Sequence, residues 1–274
     1  MSEYLNRIVW LFILATGLPA FGQTTSSLVI IVDDLGNNLR LGQRAINLPG
    51  AITYGILPST PQAQQLASSI LASNTYKEII VHMPMESVNQ QTVEPKALSS
   101  NQTQTVFAEN LNIALQQFPL ARGLNNHQGS HLTALTDQMD WLMGELQQTE
   151  LYFIDSKTTG NSVAKSAAAA HGIPYLVRDV FLDHDPSLEA IDKEYHRALT
   201  IAKKKGCAVI IAHPSQTTLR YLEQQIPLLA EKNIVIISGS QAIQQQRKAA
   251  TIRIRDPLLT KIDDASKTDL TVAN

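Results

Sequence analysis

Six short apolar runs in this sequence stop at a side chain that can hold a metal or move a proton. Asp33-Asp34 closes the first, His82 another, and Asn125-Asn126-His127 a third. Asp155, Asp183-His184-Asp185 and His213 close the remaining three. Carboxylates and neutral imidazoles ligate divalent metals, and the same groups serve as general acids and bases. One aspartate after a strand is often a cap or turn residue. Six run ends bearing Asp or His are hard to explain as caps.

Adjacent residues leaving a strand point to opposite sides. Asp33-Asp34 therefore predicts a division of labour, with one carboxylate on a metal and the other free to accept a proton. The plainer alternative is that either acid bonds loop amides around Gly36. His82 and His127 are candidate metal ligands, and an Asp with two His leaves positions open for water. For His82 a satisfied core histidine competes. His131 follows His127 by four residues, but Gly129 and Ser130 argue against a helix that would make them converge, so His131 reads as a bystander. Glu86 stands at the same spacing from His82 and is a minor ligand candidate. His213, at the end of AVIIAHP, suits a partly desolvated general acid, with a helix-capping role as its alternative. Arg178 interrupts an apolar run and calls for a carboxylate partner, Asp155 or Asp183, because a buried guanidinium without one is costly. His171, His196 and the lysines at 203–205 read as solvated helix faces.

The elements that must position these groups alternate along the chain. β-branched apolar runs occur at 28–32, 52–57, 78–82, 122–126, 151–154, 175–182, 207–212 and 234–237. Segments with helical spacing lie between them, at 61–73, 108–118, 134–147, 162–171, 187–205 and 217–232. Thr60 and Asp185 are placed to cap, and Gly172 and Gly206 stand where helices should stop. Continuous rather than alternating apolar runs indicate a parallel sheet covered on both faces. Seven or eight such repeats suit an α/β fold, either a β/α barrel or a doubly wound sheet, whose strand ends converge on one face. Two stretches break the pattern. The polar stretch 83–105 reads as a functional lid or a flexible insertion. The segment from 238 onward has no apolar strand or helical stripe and reads as a mostly disordered tail.

Composition removes several classes. The chain has 274 residues, 44% of them hydrophobic, enough for a substantial core. Lys and Arg number 22 against 24 Asp and Glu, a net charge of −2, so no nucleic-acid or polybasic membrane footprint is expected. One cysteine, Cys207, excludes an internal disulfide framework and a Cys-cluster zinc site. Neither a Walker loop, a G-x-G-x-x-G nor a G-x-S-x-G elbow is present. Residues 8–18 form an apolar stretch too short to span a bilayer, followed by Ala20-Phe21-Gly22, which fits a signal-peptidase site before Gln23. An uncleaved anchor is the alternative. The expected organisation is a signal peptide at 1–22, a linker at 23–27, one domain at 28–240 and a tail at 241–274. The mature protein is expected to be exported, periplasmic or secreted, without a stable membrane span.

IIVDDLG, ITYGILPST, EIIVHMPME, GLNNHQGS, LYFIDSKTT, RDVFLD and AVIIAHP, in that order, resemble the divergent polysaccharide deacetylase family. The resemblance covers about residues 28–237. It implies a NodB-like irregular (β/α) barrel with about seven parallel strands, related to metal-dependent carbohydrate esterases that remove N- or O-acetyl groups from a glycan. It carries the base aspartate onto Asp33, the metal aspartate onto Asp34 and the general acid onto His213. The wider superfamily's second metal histidine is absent, since Glu86 stands in its place. Its arginine-proline motif is replaced by Asn125-Asn126-His127, so His127 is inferred to supply the missing ligand. A divalent metal, zinc foremost, would then be held by Asp34, His82 and His127 and act as a Lewis acid. Asp33 takes the proton from water, Asn126 or backbone amides hold the oxyanion, and His213 protonates the departing sugar atom. Asp155, Arg178 and Asp183 are expected to support substrate or site. Two other readings compete: a metal-free glycosidase pairing Asp33 or Asp34 with Asp155 or Asp183, and a silent envelope protein that binds glycan or a partner.

Overall fold

The computed structural model describes residues 25–73, 76–89, 94 and 96–255. The expected signal peptide at 1–22 and the chain beyond 255 lie outside the described residues. The strands are β1 (Ser26–Leu35), β2 (Thr53–Ile56), β3 (Glu78–Met85), β4 (Gly123–Gln128), β5 (Tyr152–Asp155), β6 (Tyr175–Val177), β7 (Val180–Phe181), β8 (Cys207–Ala212) and β9 (Ile234–Ile236). All their pairings are parallel, in the order β6-β5-β4-β3-β2-β1-β8-β7, with β9 on β1. The sheet curls into a half-barrel with helices around it, a NodB-like (β/α) barrel. The run at 175–182, which reads as one strand, is split by Arg178-Asp179 into β6 and β7 at the two ends of the sheet. The chain itself crosses the gap.

The helices are α1 (Leu39–Ile46), α2 (Ala63–Ala72), α3 (Gln104–Gln116), α4 (Thr136–Leu146), α5 (Ala164–Ala170), α6 (Leu188–Lys205), α7 (Gln216–Gln225) and α8 (Gly239–Arg255). The helix expected at 217–232 ends early and continues as two short 3-10 turns. Two capping expectations shift. Ser187, not Asp185, caps α6, and Thr60 donates to Leu57 O ahead of α2. Gly206 does close α6 in the left-handed region.

Side-chain alternation sorts β1 into two layers. Leu28, Ile30 and Val32 join the core between sheet and helices, while Val29 and Ile31 join a smaller inner core with Ile80, Ile154, Val209 and Ile211. By the same period of two, Asp33, His82, Asn125 and His127 continue the inner face toward the strands' C-terminal ends. The opposite end is closed by α8. Ala242 and Ile243 enter the inner core, Gly239 N donates to Thr53 Oγ1, and Ser240 N donates to Glu78 Oε1, which also accepts from Tyr152 Oη. The expected disordered tail is therefore helical to 255. Its Gln-rich sequence shows no apolar stripe because this contact needs only two buried side chains.

Candidate active site

β1 places the two aspartates. Its register with β2 shifts between Val32 and Leu35, and Asp34 takes a left-handed backbone, φ 58°. Such a conformation is uncommon for a residue with a side chain, and Asp is among those that tolerate it. The turn cancels the expected opposition: both carboxylates reach His82, Asp33 Oδ1 at 3.7 Å from Nδ1 and Asp34 Oδ1 at 3.1 Å from Nε2. Asp33 needs room on β2, and Gly55 provides it. A Cβ at 55 would lie 2.0 Å from Asp33 Oδ1 and 3.3 Å from His82 Cβ.

The register of β3 and β4 sets Asn125 beside His82 and His127 two residues further on, beside Pro84. His82 Nδ1 lies 2.7 Å from Asn125 Oδ1, an acceptor only, so this nitrogen carries the proton and donates. The Asn125 amide donates in turn to Asp33 Oδ2 at 2.8 Å. His127 Nε2 faces Glu94 Oε1 at 3.3 Å. Both rings thus direct their other nitrogen inward: His82 Nε2 and His127 Nδ1 are 3.0 Å apart, and Asp34 Oδ1 is 3.1 and 3.0 Å from them.

These three atoms form a nearly equilateral triangle of donors. With neutral rings, two lone pairs and a carboxylate oxygen meet with no hydrogen between them, and Asp34 Oδ1 is buried without a hydrogen-bond donor. Such an arrangement requires positive charge at its centre, from protons or from a metal. Ligands about 2.0–2.1 Å from a tetrahedral zinc lie about 3.3 Å apart, close to the observed spacing. The residues present fit a divalent metal. Without one, protons take the role. Burial opposes the charge on His82, but Asp33 and Asp34 outweigh it and push its pKa up to about 9. Burial also works against the Asp34 carboxylate, yet His127 and His82 hold it well below the usual carboxylate range. Burial dominates at Asp33 and raises it.

His213 follows β8. Asp183 Oδ1 lies 3.0 Å from its Nδ1, and Asp183 Oδ2 accepts from its backbone N–H and from Thr218 Oγ1. The Nε2 of His213 then looks toward Asp34 Oδ2, 3.8 Å away. Burial disfavours its charged form, but Asp183, Asp34 and Asp33 together raise its pKa.

Other expected residues have different tasks. Glu86 cannot share a metal with His82. β3 stays extended through Met85, and four residues of strand cover about 13 Å. Its carboxylate accepts from Ser100 N instead and fastens the 83–105 segment to the barrel. Asn126 is turned from substrate into the framework, donating to Gln128 O and accepting from Ser156 N. Arg178 makes no ion pair with Asp155 or Asp183 among the described contacts. Carbonyl oxygens satisfy it, Ser156 O at 2.5 Å from Nε and Lys157 O at 2.8 Å from Nη2. Asp155 caps the same turn through Lys157 N and Ser162 Oγ. Sequence reasoning missed Asn125 as the link between Asp33 and His82, although it stands in the same motif as His127. It also missed Glu94, whose segment carries no periodic signal.

Residues 30–243 match the divergent polysaccharide deacetylase family. The chain belongs to that family. The deacetylase-family chain is 30% identical to YibQ of Escherichia coli K12 over 240 residues, 88% of this chain and 73% of YibQ. Among solved structures, ATU2773 from Agrobacterium tumefaciens C58 shares the fold at TM-score 0.76 and 21% identity, covering 82% of this chain and 92% of that one. BA3943 of Bacillus anthracis, a CE4 family pseudoenzyme, shares it more distantly at TM-score 0.52 and 10% identity, with 81% and 66% covered.

Proposed function

We propose that this deacetylase-family chain is an exported metal-dependent hydrolase that removes acetyl groups from a glycan. The observation that carries the reading is the inward-facing triangle of Asp34, His82 and His127, flanked by an acid and an imidazole that neither packing nor capping requires. These three residues would hold a divalent ion, zinc by the chemistry of one carboxylate and two imidazoles, and a bound ion there supplies Lewis acidity. Around it the chain's own groups divide the proton transfers. Asp33 keeps Oδ2 on the Asn125 amide and leaves Oδ1 without a donor, so Oδ1 is the atom that accepts a proton from water. Its raised pKa strengthens it as a base. His213 is fixed through Nδ1 by Asp183 and keeps Nε2 free to protonate the departing sugar nitrogen or oxygen. The apolar stretch and small residues before Gln23 support export, and no helix among the described residues is long and apolar enough to cross a membrane.

Metal analysis and acetate release from acetylated chito-oligosaccharide or xylan test this together. Asp34→Asn and His127→Ala should each lose most bound zinc. Asp33→Asn should keep its zinc and lose about 10²-fold or more in rate. A His127→Ala protein that retains full zinc would remove that residue from the site. Loss of zinc from Asp33→Asn would overturn the division between base and ligand. Mass spectrometry of the envelope fraction should find a chain beginning at Gln23, and the full-length chain in the membrane would replace secretion by anchoring.

A further inference from the structure

A second feature lies on the same face, at the gap between β6 and β7. Phe181 is half-buried, and its ring centroid is 5.2 Å from that of His213 on one side. The Arg178 guanidinium carbon stands 5.1 Å from the same ring centroid. Beyond Phe181 opens a cleft of about 540 Å³ that continues between the turn at Lys157 and the first half of α6. Phe181 is thus a wall shared by the proposed general acid and the cleft.

The charge of this cleft differs from that of the molecule. The chain as a whole is slightly acidic, yet four cationic side chains line the cleft, those of Lys157, Arg178, Lys193 and Arg197, against Asp185 and Glu194. Arg197 is neutralised by Glu194, 2.6 Å away, while Asp185 accepts only from the backbone N–H of Ser187 and keeps its negative charge, so the lining carries a net excess of cations. Arg178 spends Nε and Nη2 on carbonyl oxygens, and the nearby Asp155 carboxylate offsets part of its charge. Lys157 and Lys193 are exposed, and the described contacts give their ammonium groups no carboxylate. Lys157 is also held in the left-handed region, φ 50°, by its own N–H on Asp155 and its carbonyl on Arg178. A lysine has no local preference for that conformation, which is costly outside glycine and the short polar residues.

We propose that this cleft is a subsite for a sugar bearing an anionic substituent, next to the sugar that loses its acetyl group. The inference rests on the deacetylase reading for its neighbour, but not for its own chemistry. Phe181 contributes an apolar patch to the cleft wall against which a pyranose can pack. Lys157 and Lys193, whose ammonium groups have no carboxylate among the described contacts, supply the charge that a carboxylate or phosphate on the ring would neutralise. The preferred substrate is then an acidic glycan in which acetylated and anionic sugars are neighbours, rather than a uniformly neutral polymer.

Two hexasaccharides of equal length separate these cases. A hyaluronan hexasaccharide alternates N-acetylglucosamine with glucuronate, whereas chitohexaose is N-acetylated and uncharged. Titration calorimetry on the metal-loaded protein should find hyaluronan binding at least tenfold tighter than chitohexaose at low salt. That preference should shrink as ionic strength rises. Lys157→Gln with Lys193→Gln should erase it while leaving chitohexaose affinity, bound metal and thermal midpoint unchanged, and Lys193→Arg should preserve it. Competition by glucuronate against glucose 6-phosphate then shows which anion the cleft favours. Equal affinity for the two hexasaccharides, or a preference that survives the double substitution, would overturn the subsite whatever the enzyme does to acetyl groups. Conversely, charge-selective binding with no acetate released from any acetylated glycan would remove the deacetylase reading and leave the cleft standing.

Discussion

Gly55→Ala tests the site through a residue that touches no metal and carries no proton. The added methyl would lie 2.0 Å from Asp33 Oδ1, where ordinary contact begins near 3.4 Å, so the carboxylate must retreat by more than an ångström. It cannot do so freely, because Asp33 is 1% exposed and Asn125, its partner at 2.8 Å, is fully buried. A displacement of that size breaks the Asn125 bond and misplaces the base. Misplacing a reacting group by about 1 Å costs on the order of 10²-fold in rate, and overpacking of this kind costs about 1–3 kcal/mol of stability. For a domain of this size the latter lowers Tm by roughly 2–12 °C. Asp34 and His127 are untouched, whereas the methyl also comes within 3.3 Å of His82 Cβ, so turnover is read per bound zinc. The assay is acetate release, with metal content and thermal midpoint measured on the same preparation. A Gly55→Ala protein with wild-type turnover would refute the assignment of Asp33 as base.

Three further outcomes follow from the same geometry. The metal-free protein holds a proton on His82, whose pKa is pushed from 6.5 to about 9. Zinc must displace that proton, so apparent affinity should rise up to tenfold per pH unit between 7 and 9 and then level off, which metal titrations at fixed pH values read directly. The sign for stability is opposite: a raised imidazole pKa stabilises the metal-free fold below about 6.5, and that contribution fades as pH climbs toward 9. Glu94→Gln should weaken zinc binding about tenfold, the usual effect of losing a carboxylate behind a ligating histidine, and unchanged affinity would show that Glu94 does not hold the ring. Truncation after residue 240, or Ile243→Ala alone, should cost about 2–5 kcal/mol in chemical denaturation, because Ile243 fills the inner core; a loss under 1 kcal/mol would mean that α8 does not close the barrel.

The strands and the polar groups at their ends could be read from the sequence because both are local signals. Buried parallel strands give uninterrupted apolar runs, and a carboxylate or imidazole ending such a run stands out. What escaped depends on the backbone or on distant segments. Nothing in Asp-Asp-Leu-Gly announces that Asp34 turns left-handed, so the two carboxylates were expected to diverge and instead meet at His82. Glu86 looked equivalent to a ligand by spacing, but four residues mean one turn in a helix and about 13 Å in a strand. Arg178 was expected to pair directly with a carboxylate, whereas two carbonyl oxygens of a neighbouring turn take its N–H groups and Asp155 acts on it only through space. The helix α8 was invisible because an amphipathic pattern appears only when a whole face is buried, and here two side chains and a hydrogen-bonded first turn do the docking.

The buried position of Asp33 bears on how this lineage can change. A carboxylate whose pKa is raised by burial destabilises the fold at neutral pH, and it persists there only if something other than stability retains it. An Asn at 33 keeps the shape and accepts the Asn125 bond without the buried charge, so Asp33→Asn should raise the melting temperature. Stabilising replacements of this kind commonly contribute about 0.5–2 kcal/mol. Loss of this carboxylate is therefore downhill for the barrel and needs a single nucleotide change. Under the proposed hydrolase reading, selection for the reaction is what would keep Asp33 intact among its descendants.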